Sequence, residues 1–172
     1  MNEKLQSLSK KLSAAKEPKD VVAILDREMT ATPALESRLG AVKFNALVRS
    51  GETMAALAYG NRLVGTVYKD DAQSLNSLAW GIVDPKASTK ATPEMAQLGL
   101  KAARKADALS LQKDAAIADT LAAAHFASGD ASNALKTEER AVTLAKGTAM
   151  EKNPSLVASL EHYRSAAAEA HK

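Results

Sequence analysis

The stretch ADTLAAAHFASGDASNALKTEERAVTL, residues 118–144, decides the fold class of this chain. Leu121, Ala122, Phe126, Ala134, Ala141, Val142 and Leu144 recur at helical offsets on either side of Gly129-Asp130, a turn signal. The alanines among them let two helix axes approach more closely than larger side chains would allow. The stretch therefore reads as one unit of a helical repeat, two antiparallel helices joined at the glycine. An architecture follows from it, not a chemistry.

Composition extends the reading to the whole chain. Thirty-six alanines stand against two Phe, three Tyr and one Trp, so the core is filled by small aliphatic groups, which suits helix-on-helix packing and argues against a β-sandwich. With 172 residues and 46% apolar content, the chain suits one compact domain or one short solenoid. The net charge of +3 is spread evenly along the sequence, and neither half resembles a polyanion-binding surface. Cysteine is absent, which excludes disulfides, thiolate nucleophiles and cysteine-ligated zinc. The N-terminus MNEKLQSLSKKLSAAK has no uninterrupted apolar run of signal-peptide type, and no stretch approaches membrane-spanning length. The compartment stays open on these grounds.

Periodicity and breakers divide the chain into nine helices. Leu5, Leu8 and Leu12 mark the first, and Glu17-Pro18 starts a second that carries Val21, Val22, Ile24, Leu25 and Met29. A third runs from about Pro33 to Arg49 with Leu35, Leu39, Val42, Phe44, Ala46 and Leu47 apolar, and Ser50-Gly51 ends it. In the fourth, Met54, Leu57, Ala58, Leu63, Val64 and Val67 are expected on the buried side. Asp70-Asp71 opens a fifth with Leu75, Leu78, Ala79, Trp80 and Ile82 apolar, stopped by Asp84-Pro85. The polar PKASTKAT stretch is a flexible loop, and Thr92-Pro93-Glu94 restarts a helix through about Leu109. The hairpin quoted above supplies helices at about 113–128 and 130–146. Asn153-Pro154 opens a last one with Leu156, Val157, Leu160 and Tyr163 on one side.

The turns set a period. Glu17 and Gly51 lie 34 residues apart, and Gly51 and Gly129 lie two steps of 39 apart, placing the intervening turn near Lys90. The expected fold is all-α, a right-handed solenoid forming a single domain over 1–172. Its hairpins cover about 2–31, 33–68, 71–109 and 113–146, with a capping helix at about 153–170.

These residues resemble the tetratricopeptide repeat, a 34-residue helix pair with small residues at the crossing points. The match is best from Leu121 through Gly129, Ala134 and Ala141 to Leu144, with His125 where the repeat usually has Tyr and Glu138 where it often has an aromatic. LNSLAWGIVDP, a lysine-rich insertion, ALKTEERAV and LEHYRSA also look like the helical segment that follows a thioredoxin-like domain in some bacterial exported proteins. That resemblance covers about residues 40–172 and implies a periplasmic or exported location. No CxxC motif is present, so no redox residue is carried over.

The first helices of stacked pairs line an inner surface where peptide segments bind. Arg38, Asn45, Asn76, Trp80, Asp119 and Ala123 are the residues expected there. Trp80, flanked by Leu78 and Ile82, suits either a partner anchor or interhelix filling. The carboxylate clamp that some tetratricopeptide domains use for chaperone tails fails, because Ala41, Ser77, Ala116 and Thr120 occupy clamp positions and leave only Asn45 as a match. His125, His162 and His171 have no second ligand at metal-binding spacing, so no metal or other cofactor is implied. His125 is expected to fill an interhelix space, and Glu161-His162 to be surface. The pairs Asp70-Asp71 and Glu138-Glu139 are expected at helix starts or on solvated faces, where they do no acid–base work.

The lysines are not gathered with stacking aromatics, which argues against nucleic acid, and the glycines form no phosphate loop. The functional expectation is a non-catalytic interaction or scaffolding module for a protein or peptide partner. The alternatives are an accessory domain of a thioredoxin-like redox protein and self-association through the terminal helix.

Overall fold

The structure is a computed structural model that describes residues 2–86 and 91–170, with side chains from residue 6 onward. The turn expected near Lys90, the Leu5 side chain and His171 lie outside these described residues. Nine α-helices and no strand are found among them. They are α1 (Asn2–Ala14), α2 (Pro18–Ala31), α3 (Glu36–Arg49), α4 (Thr53–Arg62), α5 (Ala72–Val83), α6 (Pro93–Leu109), α7 (Ala115–Ala127), α8 (Ala131–Ala145) and α9 (Pro154–Glu169).

Local chemistry explains where the helices begin. Asp71 accepts from the N–H groups of Gln73 and Ser74, Asp114 from Ala116 and Ile117, and Asp130 from Asn133. Thr92 and Asn153 cap α6 and α9, each with proline in the first turn. Three helix ends close in the same way. At Gly129 (φ +85°) the Asp130 N–H reaches the His125 carbonyl at 2.9 Å, and at Gly51 (φ +79°) the Glu52 N–H reaches Leu47 at 3.1 Å. The third such end has Leu111 at φ +55°, with Gln112 N–H on Asp107 at 2.9 Å, so a branched residue holds the left-handed position that glycine fills elsewhere.

The chain forms two compact units, residues 1–67 and 68–172. In the first, α2 packs on α3 and α3 on α4, burying Leu25, Met29, Phe44, Leu47, Ala56 and Tyr59. Lys43 lies 4.3 Å from the Tyr59 ring centroid, and Arg62 pairs with Glu36. The buried side of α4 differs from the expectation: Met54 is 79% exposed and Ala58 is also exposed, whereas Ala56, Tyr59 and Gly60 are buried. The helix passes at Leu63–Val67 into a π-helical turn, whose wider winding brings Leu63 and Val64 into the core. Val42, on α3, is likewise exposed rather than buried.

In the second unit α7 is the centre. It packs on α5, α6 and α8, and α8 in turn packs on α9. Ile117, Ala118 and every residue from Thr120 to His125 are buried, so α7 presents almost no face to solvent. Alanine makes this possible. One cluster joins Ala118, Ala141, Ala145 and Leu156, and another joins Ala122, Ala134 and Tyr163. At Gly99 α6 approaches α5 closely, since a Cβ there would sit 2.7 Å from Val83 Cγ1. On α9 the buried side is Leu156, Tyr163 and Ala167, while Val157 faces outward.

Candidate functional site

A cleft of about 730 Å³ opens in the second unit. One wall is the end of α5 and the turn beyond it, Trp80 with Ile82 to Lys86. The others are Asp119, Ala123 and Phe126 of α7 and Ser159, His162 and Tyr163 of α9. A smaller hollow in the first unit, about 340 Å³ and lined by Leu8, Ser9, Leu12, Ser13 and Leu39, holds no charged side chain among the described residues.

Part of the cleft wall is aromatic. Phe126 meets His162 edge-on at 4.7 Å between centroids and lies 5.0 Å from Tyr163, so α7 and α9 present three adjoining rings. Across from them Trp80 is 37% exposed, which assigns it to the cleft rim rather than to the core.

One wall residue, Asp119, belongs to a pair of carboxyl groups. Glu138 of α8 is 0% exposed, and neither of its oxygens receives an N–H or hydroxyl hydrogen. Its partner is Asp119, which lines the cleft. Burial, then the neighbouring Asp119 charge, pushes the Glu138 carboxyl up to about 8. Burial also raises Asp119, while its hydrogen bond with Glu138 opposes that rise. The two carboxyls titrate as a pair, and their mutual repulsion and burial favour a proton shared between them. The Tyr163 phenol is held protonated by burial and by the same two acids, with Ser159 hydrogen-bonded to it.

This corrects the expectation for Glu138-Glu139: Glu139 is exposed, but Glu138 is among the most buried side chains of the chain. The signal lay in its spacing. Glu138 is four residues after Ala134 and three before Ala141, both fully buried, and therefore shares their stripe on α8. His125 is buried as expected, with Nδ1 3.5 Å from Asp130, and burial lowers its pKa. His162 is exposed yet forms cleft wall, a role its surface character concealed.

No family model, curated protein or solved structure matches this chain.

Of the residues expected on an inner surface, Trp80, Asp119 and Ala123 come together in the cleft. Asn76 lies one turn before Trp80 on α5, half-buried, with its amide oxygen unpartnered. Arg38 and Asn45 are in the first unit, both exposed on α3 and seven residues apart. No group of three or more His, Asp or Glu side chains suited to a metal ion occurs among the described residues. No helix among them is long and apolar enough to cross a membrane.

Proposed function

We propose that this chain is a non-catalytic interaction module and that its second unit docks a segment of a partner protein in the cleft between Trp80 and the Phe126, His162 and Tyr163 rings. The observation that carries this reading is the exposed, sole tryptophan on the rim of a concave aromatic surface, where an indole supplies apolar area and one N–H donor to a ligand. The close packing around the buried small residues of α7 supports that surface from beneath. We further read the helix pairs as tetratricopeptide-like units of a right-handed solenoid, with the cleft belonging to its inner face.

Panning a random-peptide display library on the protein tests the reading. Selected peptides are expected to shield Trp80 from acrylamide quenching, and Trp80→Ala is expected to weaken them by about tenfold or more with the circular dichroism unchanged. Binders that leave Trp80 equally quenchable would move the interaction elsewhere on the molecule and defeat the proposal.

One observation favours a second, narrower reading. Two of the strings that resemble the helical segment of thioredoxin-associated proteins line this one cleft, supplying Trp80 with Ile82 to Pro85, and His162 with Tyr163, while the third supplies Glu138, the neighbour of the lining residue Asp119. On that reading the docked segment belongs to a thioredoxin-like domain. A thioredoxin-like protein encoded beside this chain would then perturb Trp80 fluorescence on mixing.

A further inference from the structure

We propose that the cleft receives a lysine side chain of the docked segment, with the Asp119 carboxylate as counter-ion for its ammonium and the rings of Trp80, Phe126, His162 and Tyr163 around its methylene stem. This rests on the docking reading above and specifies its ligand.

The argument begins with what any occupant does to Asp119. A segment that fills the cleft strips water from this carboxylate, and a desolvated charge is costly unless a donor or cation replaces the water. An apolar side chain supplies neither. An acidic one would set a second negative charge against Asp119, with another carboxyl directly behind it. A cation meets the requirement, and aromatic faces favour it further through their negative quadrupole. Among the described residues the ionisable lining is Asp84, Lys86, Asp119, His162 and Tyr163, so two acidic side chains stand there against one lysine.

Glu138 gives an independent pointer to the same ligand. Its side chain is wholly buried, both oxygens lack any N–H or hydroxyl donor, and its neighbour Asp119 lines the cleft, which Glu138 itself does not. Such a group is an unmet acceptor capacity placed behind the counter-ion. A lysine ammonium brings three donors on a flexible stem, of the length needed to pass between rings to a recessed carboxylate. It also takes over the role of the shared proton, because a positive charge on Asp119 relieves the repulsion that keeps Glu138 protonated. Binding is therefore coupled to proton release. The other titratable group facing the pair is Tyr163 from α9, protonated throughout; on α6, Arg104 acts on His125.

The test uses the intact chain and three capped pentapeptides, each with one central residue between alanines: lysine, norleucine or Nε-acetyl-lysine. Trp80, the sole tryptophan, reports binding by fluorescence. The lysine peptide is expected to bind about tenfold or more tightly than either neutral peptide. Asp119→Asn is expected to abolish that preference. Calorimetry in buffers of different ionisation enthalpy is expected to show proton release near pH 7 that Glu138→Gln removes. Equal affinity for the lysine and norleucine peptides would overturn the lysine assignment and leave the docking reading standing. A Trp80 signal unchanged by all three peptides would also overturn it, while the docking reading is decided separately by the selected library peptides. The norleucine comparison uses only the wild-type protein, so it decides the matter even if Asp119→Asn fails to fold.

Discussion

Glu138 sets the most distinctive pH behaviour of the molecule. Its folded pKa, about 8, lies above the ordinary carboxyl value of 4.5. Between these values the unfolded chain has lost this proton and the folded chain keeps it, so the contribution of Glu138 to stability is fully present below about pH 4.5 and is lost as pH rises toward 8. The slope cannot exceed about 1.4 kcal/mol per pH unit for one proton. Glu138→Gln is expected to flatten the decline, measured as urea midpoints at pH 5, 6, 7 and 8. A variant whose midpoint still falls as steeply would place the titration on another group. The residue could have been found from its spacing between Ala134 and Ala141, but a glutamate on a helix is by default solvated, and only the depth of α8 in the packing reverses that default.

Element boundaries were the most legible part of the fold, because capping chemistry is local. Asp71, Thr92, Asp114, Asp130 and Asn153 each stand directly before a helix and accept from its first N–H groups. Which face of each helix is buried was less legible where the winding changes, as at the π-helical turn after α4. Element ends also carry adjustable stability. Leu111 is 72% exposed and left-handed, so Leu111→Gly relieves backbone strain with little lost burial and is expected to raise stability by about 1 kcal/mol. A lower thermal midpoint for that variant would mean that the leucine makes a contact worth more than the strain. The tie between α6 and α8 has the opposite sign. Arg140 donates to Asp107 at 2.9 Å, and Asp107 is 5% exposed, so Arg140→Ala leaves a buried carboxylate unpaired at an expected cost of about 2–3 kcal/mol by chemical denaturation. The variant Asp107→Asn combined with Arg140→Ala should recover part of that loss.

For the molecule as a whole, the all-helical class was readable from alanine content and turn spacing, whereas the division after Val67 was not. Leu63, Val64 and Val67 continue the apolar pattern of α4 without a proline or a polar stretch, and nothing in their composition announces a unit boundary. The cleft was half legible: Trp80 and Asp119 followed from their places on first helices, but Phe126, His162 and Tyr163 meet only through the packing of α9. The second unit holds its own buried clusters around α7, so residues 68–172 produced alone are expected to keep helical circular dichroism and a cooperative melt. A gradual, featureless melt would show that its core is incomplete. The enclosure of α7 by its neighbours has one more consequence. Its amide protons become accessible to heavy water only when the surrounding helices come apart together, so the peptide covering 115–127 should be the slowest to gain deuterium, and its exchange rate reads the opening free energy of the entire second unit.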